Sequence, residues 1–153
     1  MTGQAPLGAG REALIAEALL RPRVTQDPAA DWWRGAIFYE IYVRSFQDGT
    51  GDGVGDLPGI LSRIDYLAGL GVDGLWLSPV YPSPQVDFGY DIRDFRNVDP
   101  LHGSMGDMLA LIDACHDRGL KLLLDFIPCH TSAAHPWFAE SRQGRDGPRA
   151  DWY

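Results

Sequence analysis

Three short apolar runs, separated by helix-patterned stretches, constrain this chain more than any other feature. The first reads Ile37-Phe38-Tyr39-Glu40-Ile41-Tyr42-Val43, aromatic and β-branched almost throughout, as a strand requires. Asp56 stands where it can cap a helix that tolerates Pro58 near its start. Ile60, Leu61, Ile64, Leu67 and Ala68 give that helix one apolar face, and Gly69 and Gly71 end it. Gly74-Leu75-Trp76-Leu77 is a short buried strand. Ser104, with Asp107 three residues on, forms a capping box, and Met108, Leu111, Ile112 and Cys115 supply the core stripe of the helix it opens. Arg118 and Gly119 close it, and residues 120–127 form a third strand, apolar almost throughout.

Such alternation demands parallel strands joined by helical crossovers, and near-continuous apolar strands predict cover on both sheet faces. A doubly wound sheet and a barrel both satisfy it. The strand starts at Ile37, Gly74 and Leu120 make units of 37 and 46 residues, and eight units of about 40 need over 300 residues, so only the opening of a barrel fits. No G-x-G-x-x-G follows the first strand, which weakens a dinucleotide-binding reading. Residues 1–31, rich in Ala, Gly and Pro, read as an extension, partly flexible, with one helix over residues 11–20 stopped before Pro22.

Composition narrows the partners. A hydrophobic content of 45% with 5 Trp supports a packed core in a chain of 153 residues, which excludes disorder throughout. A net charge of −8 is unsuited to tracking a nucleic-acid backbone. No apolar stretch has the length of a membrane span or of a secretory h-region, so the expectation is a soluble, cytoplasmic protein without membrane or nucleic-acid partners. Cys115 and Cys129 lack metal-ligand spacing and are expected as free thiols.

Polar and turn residues collect after each strand, over residues 44–56, 78–103 and 128–153, where barrels and open α/β sheets both place their sites. The first loop sets Asp48, Thr50, Asp52 and Asp56 at relative positions one, three, five and nine, with the Val54 carbonyl at seven and Gly53 at the sharp turn. That is the oxygen pattern of a calcium loop. Its twelfth position is Gly59 rather than Glu, so it is not an EF-hand but a related oxygen cage, or else a turn in which Asp56 simply caps a helix. In the second loop, Tyr90 beside Asp91 could bind a sugar through ring and carboxylate, or be a plain turn. Asp125 and His130 follow the third strand. Spacing alone does not single out His130 from His102, His116 and His135, and no Ser-His-Asp set, phosphate loop or zinc spacing is present.

Together these motifs resemble the opening of the α-amylase superfamily, glycoside hydrolase family 13, on its α-glucosidase and oligo-1,6-glucosidase side. The strings that carry the resemblance run in order from Trp32-Trp33 through Tyr39-Glu40-Ile41-Tyr42-Val43-Arg44-Ser45-Phe46 and loop 48–56, which continues into Leu57-Pro58-Gly59-Ile60. They go on with Leu75-Trp76-Leu77-Ser78-Pro79, Gly89-Tyr90-Asp91, Asp125-Phe126-Ile127-Pro128-Cys129-His130-Thr131-Ser132 and His135-Pro136-Trp137-Phe138. The resemblance implies an α/β fold in which residues 32–127 are the first three strands of a (β/α)8 TIM barrel and residues 128–153 begin a domain inserted after the third strand. It implies retaining hydrolysis of terminal α-linked glucose in oligosaccharides or disaccharides. The alternatives are an α-glucosyl transferase or a sucrose or trehalose isomerase of the same family, or a non-catalytic barrel homologue.

By motif position, the resemblance gives Asp91 the hydroxyls of the terminal glucose, Tyr90 a stacking face and His130 the primary hydroxyl, with Asp125 supporting them. It makes Asp48, Thr50, Asp52, the Val54 carbonyl and Asp56 ligands of a structural calcium, with magnesium as the alternative. Thr50 stands where Asn is commoner, which predicts weaker affinity. Cys129 replaces the Asn that in α-amylases helps hold a second calcium, so none is expected here. The family's nucleophile, acid/base and stabilising carboxyl lie on later strands, so this chain is expected to hold no catalytic residue and to be inactive alone.

Overall fold

The computed structural model describes residues 32–153; the extension 1–31 and its expected helix lie outside the described residues. The elements are β1 (Phe38–Ile41), α1 (Val43–Phe46), α2 (Leu57–Ser62), α3 (Ile64–Gly69), β2 (Gly74–Leu77), α4 (Met105–Asp117), β3 (Lys121–Leu124) and α5 (Pro136–Ser141). The strands form one parallel sheet in the order β1-β2-β3.

Register sorts the strand side chains into two faces, because neighbours along a strand point oppositely. Tyr39, Leu75 and Leu122 share one row and Ile41, Leu77 and Leu124 the next. These rows meet the helices: Ile41, Leu75 and Leu77 join Leu57, Ile60, Ile64, Leu67, Met108, Leu111 and Cys115 in one buried cluster. Glu40, Trp76 and Leu123 form a row on the opposite face. That face is open among the described residues, with Trp76 38% and Leu123 38% exposed. The cover expected on both sheet faces is therefore found on one. Parallel crossovers are right-handed, so a sheet that winds on in one direction keeps its helices together. This order excludes the flavodoxin-type sheet and leaves a barrel or the first half of a dinucleotide-type sheet.

Three boundaries and the burial of one residue differ from expectation. The strand expected over residues 37–43 ends at Ile41, because its partner ends: Ile41 is opposite Leu77, and the Val43 N–H goes to the Ser78 hydroxyl (3.2 Å) instead of a ladder carbonyl. Val43 then opens the single turn α1. The helix expected after Asp56 is broken at Arg63 (φ −107°, ψ 8°) into α2 and α3, whose apolar residues stay in one core. The third strand is half its expected length, since β2 stops at Leu77 and only the Asp125 N–H reaches back to the Leu77 carbonyl (3.1 Å). Trp76, expected inside a buried strand, is exposed because it alternates with Leu75 and Leu77.

The loop after β1 is packed by close backbone approach. A Cβ on Gly55 would strike the Val43 carbonyl oxygen, and one on Gly59 the Gln47 carbonyl oxygen. Buried His102 ties the same region to the second loop: its backbone carbonyl accepts from the Leu57 N–H (2.9 Å), and its Nδ1 lies 3.2 Å from the Gly55 carbonyl. A carbonyl only accepts, so Nδ1 carries the proton. Burial holds this imidazole below its ordinary pKa.

Candidate sugar-binding site

The carboxyl ends of β2 and β3 bring Asp125 to the centre of a bonded group. Its Oδ1 accepts from Trp76 Nε1 (3.1 Å) and its Oδ2 from the Tyr90 hydroxyl (3.0 Å), while its backbone carbonyl accepts from the Tyr81 hydroxyl (3.1 Å). Asp125 is thus the fixed acceptor that joins strand end to loop. Burial first, and then the bond to Asp125, push the Tyr90 hydroxyl up to about 12, so it remains a neutral donor. His130 Nε2 lies 3.1 Å from the Tyr90 carbonyl and its Nδ1 3.3 Å from Cys129 Sγ. Three of the four expected sugar-site residues, Tyr90, Asp125 and His130, therefore form one connected unit.

Asp91 adjoins the unit in sequence but is held by its own loop. Its Oδ1 accepts from the Ser83 hydroxyl (2.6 Å) and the Asp87 N–H (3.1 Å), and its Oδ2 from the Val86 N–H (3.1 Å). Burial raises its pKa, but the Ser83 hydroxyl and the two N–H groups outweigh it and leave the carboxyl below its ordinary value. The loop around it is strained: Gln85 (φ 61°) and Phe88 (φ 50°) occupy the left-handed region without being glycine.

In loop 48–56, Asp48 accepts from the N–H groups of Thr50 (3.0 Å), Gly51 (2.6 Å) and Gly53 (2.7 Å), with Gly51 and Gly53 left-handed. The N–H of Gly53, then that of Gly51, holds its carboxyl below the ordinary range. Asp52 accepts from Val54 N–H (2.8 Å). Buried Asp56 accepts from Gly49 (3.0 Å), Thr50 (3.1 Å) and Gly59 (2.6 Å), the last being the N-cap bond of α2. All five expected positions offer oxygen, which suits a hard cation. Among the described residues, however, no three His, Cys, Asp or Glu side chains come together as a metal-holding group. Backbone N–H groups engage each of the three loop carboxylates, and a carboxylate has about four acceptor sites, so Asp52 keeps the most capacity.

Residues 40–153 match the family described as "Alpha amylase, catalytic domain". The chain belongs to that family. It is 52% identical over 127 residues to a probable alpha-glucosidase of Rhizobium meliloti, covering 83% of this chain and 23% of the relative. An oligo-1,6-glucosidase of Heyndrickxia coagulans is 52% identical over 123 residues, 80% of this chain and 22% of the relative. Among solved structures, the alpha-glucosyl transfer enzyme XgtA superposes with a TM-score of 0.79 at 58% identity, over 81% of this chain and 23% of that one. The trehalulose synthase MutB of Pseudomonas mesoacidophila gives 0.79 at 45%, over 82% and 23%. The chain spans less than a quarter of the length of these relatives. Its three-stranded sheet is thus the opening of the α-amylase-family TIM barrel, the alternative that strand order alone left undecided.

Trp76, Tyr81 and Ser83 are site contacts that the sequence reading of this α-amylase-family chain did not single out. Trp76 had a signal, since strand alternation puts it opposite Leu75 and Leu77. Tyr81 and Ser83 had none, because their partners lie 44 and 8 residues away across loops of irregular shape. Beside His130 lies a cavity of about 470 Å³, lined by Phe95, Phe126, Trp137 and Trp152. Cys129 and His130 also line it, whereas Asp91 and Asp125 do not, so the cavity reaches the bonded unit at His130 only. His135 packs into the same aromatic cluster, against Phe95 and Trp137.

Proposed function

We propose that this chain is the sugar-binding opening of an enzyme acting on the terminal glucose of short α-glucosides by a retaining mechanism. The observation that carries it is the unit at the strand ends, with Tyr90, Asp125 and His130 joined and ionised Asp91 alongside. Such a floor offers an aromatic face for a sugar ring, a carboxylate for its hydroxyls and an imidazole at the rim. The substrate class follows the relatives' names, which are those of glucosidases acting on α-glucosides and of a glucosyl transfer enzyme. Retaining cleavage needs two carboxyls about 5 Å apart across the bond, and in this reading neither comes from residues 32–153.

The test is a product profile of the full-length enzyme on maltose, isomaltose, sucrose and soluble starch. Glucose release from the short substrates supports hydrolysis, whereas new disaccharides from sucrose or maltose support the transferase or isomerase alternative. Rapid internal cleavage of starch overturns the terminal-glucose reading. Asp91→Ala is expected to remove roughly 2–4 kcal/mol of transition-state binding, a loss on the order of tens to hundreds of fold in kcat/KM. Asp91→Asn, which keeps the oxygen that accepts from the Ser83 hydroxyl and the Asp87 N–H and loses only the acceptor for the Val86 N–H, gives the milder change with which to compare the loss of charge.

We further propose a structural calcium, with magnesium as the alternative, in loop 48–56. Its oxygen-only donors and the coil set by left-handed Gly51 and Gly53 support this. Asp48, Thr50, Asp52, Asp56 and the Val54 carbonyl would hold it. EDTA is expected to lower the Tm of the full-length protein and to have no effect on Asp52→Ala. An unchanged Tm with no metal by elemental analysis overturns the assignment.

A further inference from the structure

We propose that Ser83 is the positioning residue for Asp91: its hydroxyl keeps Oδ1 in the loop and leaves Oδ2 to meet a sugar hydroxyl. The inference deepens the reading of Asp91 as the carboxylate of the terminal-glucose site and rests on it. Ser83 is buried, and its hydroxyl lies between one group that can only donate and one that can only accept. The Gln85 N–H donates to its Oγ (2.9 Å), so the single hydroxyl proton goes to the other neighbour, Asp91 Oδ1 (2.6 Å). An ionised carboxylate has no proton to return, which fixes the direction of that bond. Against burial, which raises the Asp91 pKa, the Ser83 hydroxyl is the foremost of the groups that hold it below its ordinary value. The serine is itself held from behind. Its N–H donates to Asp99 Oδ2 (3.0 Å), while Asp99 Oδ1 accepts from the Leu101 N–H (3.0 Å) and the Asp99 N–H donates to the Val80 carbonyl (2.7 Å).

This arrangement makes the two oxygens of Asp91 unequal. The Asp87 and Val86 N–H groups alone would load Oδ1 and Oδ2 with one bond each (3.1 Å), and Ser83 adds a second to Oδ1. A carboxylate has about four acceptor sites, two on each oxygen, so Oδ1 is filled and Oδ2 keeps capacity for a further donor. Ser83 thus decides which oxygen a sugar hydroxyl can use. Ser83→Ala makes the two oxygens equal again and frees the carboxylate to turn, whereas Ser83→Thr keeps the donor.

The test is a crystal structure of the full-length wild type soaked with glucose, set beside a mutant cycle in the Ki of glucose as a competitive inhibitor of maltose cleavage. In the structure, one Asp91 oxygen should bond Ser83 and Asp87 and the other the sugar. A sugar hydroxyl on the Ser83-bound oxygen overturns the proposal alone, whereas glucose bound without touching Asp91 overturns the terminal-glucose reading and the proposal with it. In the cycle, Ser83→Ala should raise Ki about tenfold, as for one hydrogen bond to a charged group, and Ser83→Thr by less than about threefold. With Asp91→Ala already in place, Ser83→Ala should change Ki by less than about twofold, because no carboxylate is left to position. An equal loss in both backgrounds would give Ser83 a loop-holding role only and overturns the proposal, as does a Ser83→Ala enzyme with the Ki of wild type.

Discussion

Cys115 and Cys129 are the same functional group in two environments, and the environment decides their chemistry. Both are free, as expected from their number and spacing; Cys115 is fully buried in the core stripe of α4, and Cys129 is exposed beside His130. Burial pushes the Cys115 thiol up to about 11, with Arg118 opposing weakly. Thiolate is the reactive form, so at pH 8 this raised value leaves almost none of it. Brief alkylation with iodoacetamide at pH 8, followed by peptide mapping, should modify Cys129 and spare Cys115. Unfolding in urea should make both react. Equal modification of both in the native protein would contradict the packing of α4 against α2 and β3. Asp125 makes the complementary point: its type and place were legible in sequence, whereas its partners Trp76 and Tyr90 were brought by β2 and by a loop.

At the scale of the element, two helix starts use the same device with different loads. Ser104 caps α4 by accepting from the Asp107 N–H (3.2 Å), and Asp107 returns the bond to the Ser104 N–H (2.8 Å). Asp56 caps α2 and also gathers two N–H groups of loop 48–56. Ser104→Ala is expected to destabilise by about 1 kcal/mol, and Asp56→Ala by about 2 kcal/mol or more, because it also leaves loop donors unpaired. Urea unfolding of the full-length protein in EDTA gives both values free of any cation. If Asp56→Ala proves the milder change, the loop bonds contribute nothing and the side chain is only a cap. Both caps were readable because capping is local, within three residues. The break at Arg63 was not, since the side chain is anchored to Gln47 Oε1 (2.9 Å), sixteen residues away.

For the whole molecule, one face of the sheet settles what the chain can do alone. Glu40, Trp76 and Leu123 have no layer over them among the described residues, and Leu124 at the end of β3 and Phe126 beyond it are 40% and 73% exposed. Apolar edges left open invite association. The 153-residue chain by itself is therefore expected to bind an apolar dye such as ANS, to associate on concentration, and to release no p-nitrophenol from its α-glucoside. Hydrolysis above a vector control would show that the chemistry does not depend on later strands. No helix among the described residues is long and apolar enough to cross a membrane.

Periodicity determined the order of strands and helices, because a buried strand and an amphipathic helix each write a local pattern. The capping of α2 and α4 and the free cysteines were likewise set by neighbours in sequence. Tertiary structure decided where each strand stops, since a ladder ends with its partner: Ile41 with Leu77, and Leu77 with Leu124. It decided that Trp76 faces away from the core, that Asp91 is clasped by Ser83 and two backbone N–H groups, and that the Tyr90 carbonyl and Cys129 meet on one imidazole. The Tyr90 carbonyl and His130 come from separate loops and Asp91 and its partners from one irregular loop, and neither arrangement repeats with a period that the sequence could show.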